Sequence, residues 1–459
     1  MKRHILYVPI SALLLVAFSW AQEDLHTVPV PAIIGPEMPY TEVLTPPMPV
    51  SGVQMPLTFS SENPRSNFVM GTLQFGASYD DNMFTTPSNH ISDESYSILP
   101  SLDLGQTRER WTWDFGYRAG FTFNQHVTEA NQEVHDLRLL FAYRLSPHVT
   151  AQIHENFEKT NGLISGFVGS ASVSGPGPLQ QSNESVVTPW TDQTRNNTGL
   201  DLTYQFSASS LVGASGSYYF VNYDSATSSP VSTSGLVDTR SWGGNGFCAR
   251  RFSNRHWAGV TYNFQRLLFD PGNRSDVNRV LMFYSISTGS HVTFSIWAGP
   301  EKVTTFIVTA VAPVSGAAST PERWDVAGGA DLSWQGRRTT FRFGYTRQTS
   351  DGGGLAQAVN LQQFNGELKE RLAKRWTANL DLGYAKNDPL NAATYGSVPY
   401  RSWIGNAGVD CSLTDHLSFG LRYGRDQLRY EYSISPTQSS YRNRAWFSIA
   451  YSFTRPLGR

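Results

Sequence analysis

The sequence predicts an all-β fold: a transmembrane antiparallel up-and-down β-barrel of about eighteen strands. Three observations carry this. From Phe68 onward, apolar and polar residues alternate with a period of two, the period of a strand and not of a helix. The connections between these segments are by turns tight and long. Aromatic residues make up 13% of the chain and gather on one of the two alternating faces, while charged residues make up only 16%, low for a water-soluble domain.

The elements follow in chain order. Residues 1–21 have the form of a secretory signal: Lys2 and Arg3, an apolar stretch from Ile5 to Ala17, and Ser19-Trp20-Ala21 before cleavage. The apolar stretch is short for a membrane anchor, and no Cys near the cleavage site offers a lipid attachment. Residues 22–67 hold Pro29, Pro31, Pro36, Pro39, Pro46, Pro47, Pro49, Pro56 and Pro64. Proline removes backbone donors and fixes φ, so this stretch reads as an extended periplasmic leader, either passive or a tether for a partner. The barrel then occupies 68–459.

The first two strands fall near 68–79 and 93–104. In the third, 111–123, Trp111, Trp113, Phe115, Tyr117, Ala119, Phe121 and Phe123 share one face. Thr112, Asp114, Gly116, Arg118, Gly120 and Thr122 share the other. The fourth, 136–145, repeats the pattern with Leu137, Leu139, Phe141 and Tyr143 against Asp136, Arg138 and Arg144. Eight more follow near 149–159, 194–206, 211–222, 239–252, 257–269, 277–287, 292–301 and 323–334. The last six lie near 339–349, 357–371, 375–386, 400–413, 417–430 and 441–453. Tight polar turns such as Leu-Ser-Pro-His-Val at 145–149 and Leu-Thr-Asp-His-Leu at 413–417 close every second connection. Strands of about 9–11 residues suffice to cross a bilayer at a tilt.

A barrel this wide cannot fill its interior with side chains, so the aromatic face is expected to point outward into lipid. Closure pairs every backbone group, as lipid demands. With tight turns and both chain ends in the periplasm, the strand count is even. The longest loop, 160–193, is the third outer one and rich in glycine; by order and length it resembles the third loop of trimeric general porins, which implies that it folds inward and narrows the lumen.

Composition excludes several classes. Lys+Arg is 36 against Asp+Glu 37, for a net charge of -1, which gives no electrostatic footprint for nucleic acid. Mean hydropathy is -0.32, and after residue 21 no apolar run is long enough for a spanning helix. Two Cys residues cannot make a disulfide scaffold or a Cys-based zinc site. Gly244-Asn245-Gly246-Phe247-Cys248-Ala249 resembles a dinucleotide fingerprint but lies within a strand and opens no helix. No Gly-x-Ser-x-Gly or His-Glu-x-x-His motif occurs. The chain reads as a non-enzyme that asks for no cofactor and no metal ion.

Charges are costly on the lipid face, so those in strands are expected inside. The lumen-lining candidates are Arg118, Arg138, Arg144, Arg195, Arg342, Arg422 and Lys369, with Asp114, Asp201, Asp325, Asp331, Asp381, Asp410 and Glu367. Their signs nearly cancel, which predicts weak ion selectivity. At the outer rim, Asp80, Asp81 and Asn82 suit a turn, or a divalent cation bridging to lipopolysaccharide phosphate.

The stretch Gly76-Ala77-Ser78-Tyr79-Asp80-Asp81-Asn82-Met83-Phe84 resembles the opening strand of the β-barrel porin-2 family. The resemblance implies an outer-membrane barrel of a Gram-negative bacterium, and some members of that family are associated with exopolysaccharide export. Unlike many such barrels, this chain continues past its aromatic Phe453 as Thr454-Arg455-Pro456-Leu457-Gly458-Arg459. The expected function is a porin-like channel for passive diffusion of small polar solutes. The alternatives are the barrel of an exopolysaccharide export system and a closed structural or surface-binding barrel. The implied partners are outer-membrane lipid and lipopolysaccharide, the barrel-assembly machinery, a second copy of the chain, or polysaccharide-export proteins.

Overall fold

The computed structural model describes residues 67–456, apart from 161–191, 224–236, 307–321, 391–398, 431–437 and a few isolated loop positions. The signal and nearly all of the leader therefore lie outside the described residues, as does nearly all of the third outer loop.

Eighteen strands form one sheet. They are β1 (Phe68–Asp80), β2 (Asp93–Thr107), β3 (Trp111–Asn124), β4 (Gln132–Arg144), β5 (Val149–Thr160), β6 (Gln193–Ser207), β7 (Ser210–Tyr223), β8 (Thr239–Ser253) and β9 (His256–Phe269). Then follow β10 (Asn273–Thr288), β11 (Val292–Phe306), β12 (Glu322–Gln335), β13 (Thr339–Ser350), β14 (Val359–Arg371), β15 (Trp376–Pro389), β16 (Tyr400–Ser412), β17 (Leu417–Tyr430) and β18 (Gln438–Pro456). Each pairs antiparallel with its sequence neighbours, and β1 also pairs with β18, from Phe68 opposite Pro456 to Asp80 opposite Arg444. The sheet is therefore closed. Thr454, Arg455 and Pro456 belong to this last ladder.

The period-two reading sets the outer face. Leu73, Phe75 and Tyr79 of β1, Trp324 and Val326 of β12, and Phe447, Ile449 and Tyr451 of β18 are all exposed. An apolar band of this kind around a closed sheet is covered by lipid. One carboxylate departs from it: Glu155, halfway along β5, shares the outward face with Ile153 and accepts a hydrogen bond from Thr198 Oγ1 at 2.5 Å.

The inner face differs from expectation over β7–β12. There buried apolar residues stand among the polar ones of inward parity: Leu211, Phe247, Ala249, Leu281, Phe283, Trp297 and Ala327 form one cluster, beside buried polar groups such as Asn245, Thr261, Asn263 and Gln265. Three of the rings lie flat along the wall, each over a glycine of the next strand. A Cβ on Gly213 would stand 2.4 Å from Phe247, one on Gly259 2.3 Å from Phe283, and one on Gly329 2.3 Å from Trp297. The missing side chains make room for rings that would otherwise project into the lumen. A second cluster nearer the outer end joins Leu267, Phe269, Val277 and Val303 to Ala358.

Candidate functional site: the lumen wall and the inward hairpin tip

All fourteen predicted lining residues lie on the face opposite the exposed aromatics. On β2–β4, Arg118 stands 3.9 Å from Asp136 and Arg138 stands 3.8 Å from Asp103. On β13–β14, Arg342 stands 3.5 Å from Glu367, and on β16–β17 Arg422 stands 3.6 Å from Asp410. These pairs are partly exposed. Asp114, Arg144, Asp331, Lys369 and Asp381 stand on the same face. On the buried stretch of β5–β6, Asp201 Oδ2 lies 3.3 Å from His154 Nδ1, and Arg195 Nη2 donates to Gln193 Oε1 at 3.0 Å.

The outer rim is built differently. Asp80 accepts from the Asn82 backbone N–H at 3.0 Å and from Arg442 Nε at 2.6 Å. Asp81 accepts from both the backbone and side-chain nitrogens of Asn443, each at 2.6 Å. Asn82 is fully buried and donates to the carbonyls of Thr86 and Tyr441, both at 2.8 Å. The three residues tie the first outer loop to β18. Among the described residues, no group of three or more His, Cys, Asp or Glu is arranged to hold a metal ion.

The loop that the structure places against the inner wall is the seventh, between β13 and β14. Its Ala358 packs on Leu267, Phe269, Val277 and Val303, which face inward from β9–β11. The Gly354 carbonyl accepts from Val237 N–H at 2.9 Å, and the Gly352 carbonyl accepts from Tyr400 Oη at 3.4 Å. Gly352 and Gly354 have φ of 75° and 98°, which glycine adopts without strain.

A buried ion pair holds this tip. Arg279 of β10 and Glu301 of β11 face inward with side chains only 2% and 1% exposed, and Arg279 Nε donates to Glu301. Glu301 also accepts from the Thr349 backbone N–H at 3.2 Å and from Thr349 Oγ1 at 2.5 Å. Arg279 Nη2 donates to the Thr349 carbonyl at 2.5 Å. Strand β12 lies between β11 and β13, so these bonds reach past it on the inner side. Beside them, Asp325 of β12 accepts from Arg347 Nη2 at 2.7 Å and from Asn360 Nδ2 at 2.8 Å.

Of these residues only Asp325 was among the predicted lining candidates. Arg279 and Glu301 escape sequence reading because they share a face with Val277, Leu281 and Val303, which look like core. The available signal was a continuous apolar run, Val280-Leu281-Met282-Phe283-Tyr284. Such a run marks a strand buried on both faces.

No family model matches the sequence, and no curated protein matches it. Among solved structures, the chain is similar to OpdK of Pseudomonas aeruginosa with vanillate, at 11% identity over 84% of this chain and 99% of that one, TM-score 0.40. It is similar to OccK2 (OpdF) of Pseudomonas aeruginosa at 10% identity over 85% and 98%, TM-score 0.43. It is also similar to the ferric citrate transporter FecA in its unliganded form, at 10% identity over 85% and 79%, TM-score 0.41. At such identities and scores these likenesses assign neither residue nor solute to this chain.

Proposed function

We propose that the protein is an outer-membrane channel for passive diffusion of small polar solutes, narrowed by the inward tip of the β13–β14 hairpin. The observation that carries this reading is the tip itself, seated on Arg279 and Glu301 inside a closed sheet whose other half carries partly exposed ion pairs. Paired charges of both signs leave the lumen wet but close to neutral, and the tip reduces its open section. Single-channel conductance of the refolded protein in a planar bilayer tests the reading. Stable conductance steps are expected, and deletion of 352–357 raises their size. A folded but silent barrel overturns the channel reading. It would favour a closed structural barrel, for which the buried inner face of β7–β12 already speaks.

A further inference from the structure

The ladder between β12 and β13 stops early. It pairs only Gly328–Gln335 with Thr340–Arg347, although β12 continues up to Glu322 and β13 to Ser350. An extended register would set Ala327 opposite Gln348 and Val326 opposite Thr349. Instead Thr349 is bonded to Glu301 on the inner side of β11. Above Arg347, β13 therefore leaves the wall and opens a slit beside β12.

The height of this slit follows from the aromatics of β12. Trp324 and Trp334 are exposed at the two ends of its apolar band. Ten residues at about 3.3 Å each, tilted as in a barrel, span roughly 25 Å, the thickness of a lipid-facing belt. Gly328 lies within that belt, so the slit opens at the level of the outer leaflet. Trp324 and Val326, on the edge that β13 leaves, are 68% and 57% exposed. Lipid tolerates an unladdered strand edge only where another group covers it.

Side chains span the gap. Asp325 accepts from Arg347, from Asn360 and, at 3.3 Å, from Arg323 Nη2. Two guanidiniums against one carboxylate leave a net positive charge. Within the cluster, Arg347 Nε and Asn360 Oδ1 are buried without a hydrogen-bond partner, and Asn360 is only 4% exposed. One orphan donor and one orphan acceptor match a protonated carboxyl head group, whose carbonyl oxygen accepts from Arg347 Nε and whose hydroxyl donates to Asn360 Oδ1.

We propose that this slit is a lateral portal between the lumen and the outer leaflet, and that it takes a single-chain amphiphile with an acidic head. The head sits at Asp325, Arg347 and Asn360, and the hydrocarbon tail passes Val326 into lipid. This goes beyond the diffusion channel, adding a second route transverse to it.

The test uses the full refolded chain in phosphatidylcholine vesicles and a laurate probe carrying a diazirine beside its carboxyl group. Adducts are mapped by mass spectrometry after illumination. The expected result is labelling of Asp325 or of the buried Thr349 or Asn360, competed by plain laurate and reduced at least tenfold in Arg347→Gln. If Arg347→Gln does not fold, Asn360→Ala carries the same expectation. Adducts confined to outward-facing residues such as Trp324 and Val326 overturn the portal, because any lipid-dissolved probe reaches those. Equal labelling of these three residues by a phosphatidylglycerol with the diazirine in its head group also overturns it, since the cluster would then be a seat for membrane lipid. Conductance is recorded on the same preparation. A silent barrel with adducts at this cluster keeps the portal and loses the channel, and a conducting barrel without them does the reverse.

Discussion

The two halves of the lumen wall obey one strand period and use it in opposite ways. Over β13–β18 and β1–β6, most inward positions carry polar or charged groups, and the ion pairs Arg118–Asp136, Arg342–Glu367 and Arg422–Asp410 stay partly exposed. Over β7–β12, inward positions add buried rings seated on glycines, buried polar groups such as Asn263 and Gln265, and an ion pair removed from water, Arg279–Glu301. In the first half, charge serves the lumen, because exposed pairs contribute little to stability. In the second, charge serves architecture, because a buried pair is costly to break. The hairpin tip is anchored on the half that can hold it.

The largest expected effect comes from breaking that anchor. Glu301→Ala leaves Arg279 buried without its carboxylate and is expected to cost about 3–5 kcal/mol in a denaturant titration of the refolded barrel. Its counterpart, Glu367→Ala, removes a partner whose side chain is 38% exposed and is expected to cost less than about 1 kcal/mol. Equal shifts would abolish the distinction between the halves.

The ring seats give the next test. Gly329→Ala would put a methyl group 2.3 Å from Trp297 and 2.4 Å from the Tyr345 carbonyl, with an expected loss of roughly 1–3 kcal/mol. Gly366→Ala meets nothing within 4 Å and is expected to stay within about 0.5 kcal/mol of the parent. Near-ultraviolet circular dichroism sharpens the pair, because only the first substitution displaces a tryptophan.

The smallest effect is electrical. Arg138→Gln removes one of the two cations beside Asp103 in the charged half. Stability is expected to change by less than about 0.5 kcal/mol, while the reversal potential in a salt gradient moves toward cation preference. A reversal potential that does not move would place Arg138 outside the conducting path.

The fold was legible because alternation and turn spacing are local. Trp111 to Phe123 and Trp324 to Trp334 declare their outward face without reference to any partner, and the eighteen segments read from the sequence correspond to the eighteen strands found. The hairpin tip was not legible, because its contacts are distant in the chain. Thr349 meets Glu301 across 48 positions and Arg279 across 70. The inward glycines are equally silent as letters: Gly259 is meaningful only once Phe283 is known to lie opposite it. The glycine run after Asp351 was the local hint that the seventh loop turns sharply. The third loop, 160–193, drew attention by length alone, and the structure describes only its ends.

The ladder between β1 and β18 has a kinetic consequence. It joins Thr72 to Ser452, residues 380 positions apart. Bringing such ends together costs roughly 4 kcal/mol more chain entropy than closing a four-residue hairpin. Every other ladder can zip from its own turn, so this one is expected to form last. Until it does, the chain presents two free edges along the full length of β1 and β18, each able to accept a strand from another copy. Refolding yield should therefore fall steeply as protein concentration rises, and added free β1 peptide should trap the open form by occupying the edge of β18.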